Sequence, residues 1–243
     1  MTNNLSRHKE VWQHKKILRV IYEEWYEMIL RDLAIGQKKT LELGSGSGNF
    51  KDYYKMSIAS DIERCDWIDL CLDAHYLPFQ VESLDNIVMI DVLHHLSNPL
   101  QFFYEALRVL EKGGRIVMIE PFPSPLSLLV YKLFHPEPFI MDEDLFYKKK
   151  AMQKDPWQSN QAIAHLLFFQ SIKQFRDIFY KKLEMIKREK MSFILYPASG
   201  GFDHKALIPN TLIPYFQALE KLLSPLKNFI AFRCYIVLEK IDN

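Results

Sequence analysis

Apolar residues first recur at helical spacing: Ile17, Leu18, Ile21, Trp25, Met28 and Ile29. They predict one amphipathic helix from about Val11 to Leu33, with Gly36 as its stop. The pattern then changes period. Thr40–Leu43 runs into Gly44, Ser57–Ser60 into Asp61, Trp67–Leu72 into Asp73, Asn86–Ile90 into Asp91, and Arg115–Glu120 into Pro121. Each run reads as a strand, and the fourth is almost continuously apolar, as in parallel strands buried on both faces. A weak helix is expected near Asn49–Tyr54. A well-marked one follows the fourth strand, with Asn98 as cap, Pro99 at its first position and Gly113–Gly114 as its stop. Strands alternating with helices predict an α/β fold: a doubly wound, mostly parallel sheet with helices on both faces. Asp61, Asp73 and Asp91 then share the carboxyl edge of the sheet, where open α/β sheets bind ligands.

The second half is less regular. From Pro121 to about Leu183 the chain is longer than a simple crossover needs. It holds the Pro-, Phe- and Leu-rich stretch "PFPSPLSLLVYKLFHPEPF" and a helical pattern from Asn160 through Ile163, Leu166, Leu167 and Ile172. Residues 122–182 read as a helical cap over the carboxyl edge, with Gln158, Asn160 and Gln161 as polar groups suited to a sugar or amide. Around Leu212–Leu226 a further amphipathic stretch presents Leu219, Leu222, Leu223 and Leu226. Packing into the core is the expectation for it; a lipid surface or a dimer partner are the alternatives. The whole reads as one domain, 1–243. Its parts are an N-terminal helical lid (1–36), a ligand-binding half (37–121), the cap (122–182) and the second half of the sheet with an inserted helix (183–243).

Composition narrows the partners. Thirty-one basic residues balance 30 acidic ones, so no net field recommends nucleic acid or an anionic membrane. No apolar run reaches the roughly 20 residues that span a bilayer, and peripheral membrane contact is not the favoured reading. Cys65, Cys71 and Cys234 form neither a metal-ligand spacing nor an even disulfide set, and Met1–Lys16 has no apolar signal core. A cytoplasmic protein is expected. With no HExxH pattern and no cysteine–histidine cluster, no metal is expected either.

The chemistry concentrates at "LELGSGSGNF", Leu41–Phe50. A dinucleotide fingerprint would need a third glycine where Asn49 stands. What remains is Gly44, Gly46 and Gly48 behind Glu42. Glycines let backbone approach a ligand closely. A buried acid beside them suits a cationic ligand better than a pyrophosphate, and a tight turn with no ligand is the plain alternative.

These pieces stand in an order that resembles the class I S-adenosylmethionine-dependent methyltransferases of the type 11 group, which have a Rossmann-like fold. The matching segments are "LELGSGSG", "ASDIE", "LDAHYLPF", "LDNIVMIDVLHHLSNP" and "VLEKGGRIVMIEP"; "FIAFRCYIVLEK" is similar to the family's last, antiparallel strand. The resemblance implies S-adenosyl-L-methionine as cofactor, with Glu42, Gly44, Gly46 and Gly48 around its methionine part. It also implies Asp61 on the ribose hydroxyls, Asp73 and the Ala74 backbone on adenine, and Asp91 near the methionine end. Tyr22 of the N-terminal helix is a candidate for the methionine carboxylate or for packing. A small-molecule acceptor, such as a sugar, a glycan precursor or a secondary metabolite, is expected. His94 and His95, at the exit of the fourth strand, are candidate bases, as is Glu120 at the end of the fifth. Packing is the alternative for each. A non-catalytic module that retained the fold is the competing reading of the whole, and oligomeric state stays open.

Overall fold

The computed structural model describes residues 4–36, 39–134, 137–146 and 158–241. Seven strands form one sheet in the order β3-β2-β1-β4-β5-β7-β6. They are β1 (Lys39–Leu43), β2 (Ser57–Asp61), β3 (Leu70–Cys71), β4 (Leu84–Ile90), β5 (Leu110–Pro121), β6 (Leu183–Met191) and β7 (Arg233–Lys240). The pairs among β1 to β5 are parallel, and β7 runs antiparallel to both β5 and β6. The expected sheet, mostly parallel with one antiparallel C-terminal strand, is therefore present.

Alternation along the central strands divides the core. Ile87 and Met89 of β4, Ile116 and Met118 of β5, and Ile236 and Leu238 of β7 face one side. There they meet Phe102, Phe103 and Ala106 of α4 (Pro99–Val109). Val88, Val117, Ile119, Tyr235 and Val237 face the other, against Ile17, Leu18, Ile21, Trp25 and Ile29. Full burial of each large side chain is worth about 1.5–3 kcal/mol, so both helical layers are held firmly to the sheet.

Four local expectations give way to tertiary structure. The N-terminal helix is two helices, α1 (Asn4–His14) and α2 (Lys16–Asp32), broken at Lys15. No glycine or proline causes this break. The Lys15 ammonium donates to the carbonyls of Gly201 and His204, and that distant contact holds the corner. The helix α4 ends at Val109, ahead of the glycine pair, because fully buried Leu110 already pairs with Leu84 of β4. The third strand is only two residues long, at the edge of the sheet. The last expectation concerns α9 (Ile213–Leu222), which buries only Ile213. Leu222 is 75% exposed and Leu226 48%, while Leu223 packs against the core from a partly buried position, so the stretch meets the expectation of core packing only in part.

The remaining helices are α3 (Phe50–Tyr53), α5 (Pro125–Phe134), α6 (Ile163–His165), α7 (Ile172–Ile178), α8 (Leu195–Ser199) and α10 (Lys227–Ile230). Between α6 and α7, Leu166–Gln170 widens into a π-type turn. This stretch behaves as core: Phe168, Phe175 and Phe179 surround Phe103 of α4 with ring centroids 5.1–6.0 Å from it. Among the described residues of this segment, α5, Glu137, Asn160 and Gln161 lie near the carboxyl edge; residues 147–157 lie outside the described set.

Candidate active site

The strand order reverses direction between β1 and β4, and a cavity of about 1360 Å³ opens at their carboxyl ends. This is the switch point at which open α/β sheets take ligands. Gly44 leaves β1 with φ of 62°, and a Cβ there would sit 2.3 Å from Cγ2 of Val92 on the β4 exit. The two loops that frame the cavity therefore touch where only hydrogen fits. Ser45 fastens the turn to β2: its N–H donates to the Ser60 carbonyl and its Oγ accepts from the Ser60 N–H. Gly46 N–H donates to Asp61 Oδ2 at 3.0 Å.

Glu42, Gly44, Gly46, Asp61, Asp73, Ala74 and Tyr22 all line this one cavity. Gly48 does not: it faces the Trp67 ring on the other side of the turn, where a Cβ would lie 2.7 Å from Cδ1. Asp61 is buried, and desolvation raises its carboxyl above the ordinary range despite donors from Glu63 and Gly46. Asp73 is half-exposed and accepts from both the backbone N–H and Nδ1 of His75. The His75 Nε2 accepts from Asn98 N–H, which ties Asp73 through this imidazole to the start of α4.

Glu42 is the unusual member. It is buried at the end of β1, and its Oε2 meets no donor among the described residues. Burial, with the nearby Asp61 charge adding to it and a Ser45 hydrogen bond opposing, pushes its carboxyl up to about 7. A buried acid with one oxygen left without a donor costs stability unless something cationic meets it.

His94, His95 and Asp91 line the same cavity. Asp91 occupies the left-handed region with φ of 57°, an uncommon conformation for a non-glycine residue. Burial raises its carboxyl, and Arg233 opposes the shift from 3.3 Å. Glu120 is fully buried and does not line the cavity. Its Oε1 accepts from the N–H groups of Val92 and Leu93, and its Oε2 accepts from Nδ1 of His94 at 2.6 Å. Burial alone would push the His94 imidazole down, but the carboxylates of Glu120, Asp91 and Glu137 hold it above its ordinary value. Glu120 thus holds His94 from behind and presents no surface to the cavity.

The fold adds residues that the sequence reading left without a role. Arg233 opens β7, fully buried, and donates to the Tyr131 hydroxyl at 2.5 Å and to the Tyr196 hydroxyl. A lone arginine heading the apolar run "CYIVL" was the available signal. Glu137 brings its carboxylate 3.8 Å from Nε2 of His94, and Gln161 donates to it at 3.0 Å. No metal was expected from sequence, yet His94, His95 and Glu137 each offer a ligand atom within 4.8 Å of the others. Short-range spacing could not reveal this, because Glu137 arrives from beyond α5. Over the mouth, Arg7 of α1 pairs with Asp203 while His8 stacks on Phe202 at 4.8 Å, closing the N-terminal helix against the 200–204 loop.

Residues 41–118 match the family model described as a methyltransferase domain, of the type 11 group. Over that stretch the chain is similar to the class I methyltransferases. The sheet of the domain is also that of a S-adenosylmethionine-dependent methyltransferase from Archaeoglobus fulgidus, with a TM-score of 0.55 at 17% identity over 91% of this chain and 94% of that one. A methyltransferase of Haloferax volcanii, solved in complex with the Trm112 methyltransferase activator, superposes with a TM-score of 0.50 at 14% identity, covering 98% of this chain and 94% of that one. An uncharacterised protein of Methanocaldococcus jannaschii is 30% identical over 107 residues, 41% of this chain. A second, from a transposon of Streptomyces fradiae, is 47% identical over 49 residues, 20% of this chain. The chain spans 51% and 14% of the length of these two relatives. The methyltransferase domain and its fold indicate S-adenosyl-L-methionine as cofactor. The donor set fits that molecule: the buried Glu42 carboxylate, whose Oε2 meets no donor among the described residues, suits its cationic end, and Asp61 and Asp73 retain acceptor capacity for hydroxyl and amino groups. No helix among the described residues is long and apolar enough to cross a membrane.

Proposed function

We propose that this chain is an S-adenosylmethionine-dependent methyltransferase acting on a small, hydroxyl-bearing acceptor such as a sugar, a glycan precursor or a secondary metabolite. One observation carries the reading: a single cavity joins the carboxylates Glu42, Asp61 and Asp73 to the group His94, His95, Glu137 and Arg233. At about 1360 Å³ it exceeds the roughly 300–1,000 Å³ of a typical one-ligand pocket, so it has room for cofactor and acceptor together.

Bound cofactor supplies a methyl group already activated on a sulfonium. Asp61 and Asp73 would hold the adenosine, Glu42 and the Gly44–Gly46 backbone the methionine part. The work left to the protein is alignment and exclusion of water, where proximity lowers the barrier most. Tyr131, Tyr196 and Arg233 would orient the acceptor, under a cap supplied by α5, Glu137 and Gln161. The acceptor proton would leave at the His94–His95–Glu137 end, with Glu120 as a positioning residue behind His94. The test is transfer of a labelled methyl group to a panel of hydroxylated small molecules, with formation of S-adenosylhomocysteine as the common readout. His95→Ala should cut turnover at least tenfold with cofactor affinity unchanged. Wild-type protein that binds cofactor yet releases no product with any acceptor would favour the non-catalytic alternative.

A further inference from the structure

We infer that His94, His95 and Glu137 form a binding site for a first-row divalent cation, Zn²⁺ by preference, at the acceptor end of the cavity. The inference deepens the methyltransferase reading and rests on it for the site's purpose, though not for its existence.

Three observations carry it. The ligand atoms of the three side chains already lie within 4.8 Å of one another. Bonds of about 2.0–2.2 Å place neighbouring ligand atoms about 3–4 Å apart, so small side-chain adjustments close the set. His94 is also arranged as metal-bound histidines are: Nδ1 is held by a buried carboxylate, Glu120, at 2.6 Å, which leaves Nε2 directed toward Glu137. Such carboxylate partners fix the tautomer and orientation of a ligand histidine. Finally, the segment that carries Glu137 is built into place. Asn160 donates its N–H to the His94 carbonyl at 3.0 Å, while its side-chain amide pairs with both N–H and C=O of Ile140, at 2.9 and 3.0 Å. One asparagine thus ties the glutamate's segment to the histidine's own backbone.

Two imidazoles and one carboxylate select Zn²⁺ or a neighbouring transition ion over Mg²⁺, which prefers an all-oxygen shell. Three protein ligands leave a position open toward the cavity, as in catalytic and not structural zinc sites. An ion there would take the acceptor's hydroxyl oxygen and lower its pKa. The proton then passes to solvent, the oxygen–carbon bond forms, and the carbon–sulfur bond breaks with its electron pair left on sulfur.

The experiment is calorimetric titration of Zn²⁺ and of Mg²⁺ into this chain, chelator-stripped and without cofactor. One Zn²⁺ per chain is expected, with Mg²⁺ at least a hundredfold weaker. His95→Ala and Glu137→Gln should each weaken Zn²⁺ at least tenfold, while their thermal midpoints in chelator match wild type. X-ray absorption of the zinc-loaded wild type should show imidazole scattering and no sulfur. That measurement stands even where a variant fails to fold. Absence of stoichiometric Zn²⁺, unchanged affinity in both variants, or a sulfur shell from Cys65 or Cys71 would overturn the site. Cofactor titration of the same stripped protein reads the methyltransferase proposal separately.

Discussion

Replacing Glu42 by glutamine should strengthen the free protein and weaken its cofactor complex. The carboxyl is raised from 4.5 to about 7 by burial. A carboxyl whose folded value lies above its unfolded one binds protons more tightly when folded. Stability is therefore lost as pH rises from about 4.5 through about 7 and stays lost above that. Two and a half units at about 1.4 kcal/mol each give about 3 kcal/mol. Glu42→Gln removes that cost, so urea unfolding without cofactor should show the variant about 3 kcal/mol more stable at pH 8 and within about 1 kcal/mol of wild type at pH 5. Binding should move the other way. A hydrogen bond to a charged group is worth about 1.5–3 kcal/mol, so at pH 8 the variant should bind S-adenosylmethionine about 10- to 150-fold more weakly. Only about a tenth of Glu42 is ionised at pH 6, against about nine-tenths at pH 8, so wild-type affinity should fall about tenfold between them. The variant should lack that part of the slope. Equal pH profiles in the two proteins, or a destabilised free variant at pH 8, would refute the reasoning.

Three further outcomes follow from packing and hydrogen bonding. Gly44→Ala should cost about 1–3 kcal/mol, because the added methyl meets Val92 and the backbone is left-handed; adding Val92→Ala should recover part of the loss in a denaturation double-mutant cycle. Glu120→Gln weakens one acceptor for two backbone N–H groups and His94; about 2–4 kcal/mol of stability should go, with at least tenfold in turnover and less than threefold in cofactor Kd. Leu222→Ser, at a position 75% exposed, should leave the unfolding free energy within about 0.5 kcal/mol of wild type; a larger loss would mean that this surface is covered.

What was legible in the sequence was local. A buried parallel strand announces itself by a continuous apolar run, and its end by a glycine or an acid, so β1, β2 and β4 and the residues Glu42, Gly44, Asp61 and Asp73 came into view without the fold. What depends on distant contacts did not. The break at Lys15 is made by carbonyls of the 200–204 loop. Arg233, Tyr131, Tyr196 and Glu137 reach the cavity from separate segments that share no spacing. Gly48 carries the same glycine signal as Gly44 but turns toward Trp67, because a loop has two sides and the motif does not say which residue lies on each. The leucines of α9 repeat at helical period, which predicts a helix with an apolar face but not whether the domain has a core position left for it.

Calorimetric titration of S-adenosylmethionine into the wild-type chain and into Asp61→Asn tests cofactor binding most directly. One molecule should bind per wild-type chain, and Asp61→Asn should raise Kd by about one to two powers of ten. No heat and no thermal shift with wild type, or identical affinity in both proteins, would contradict it.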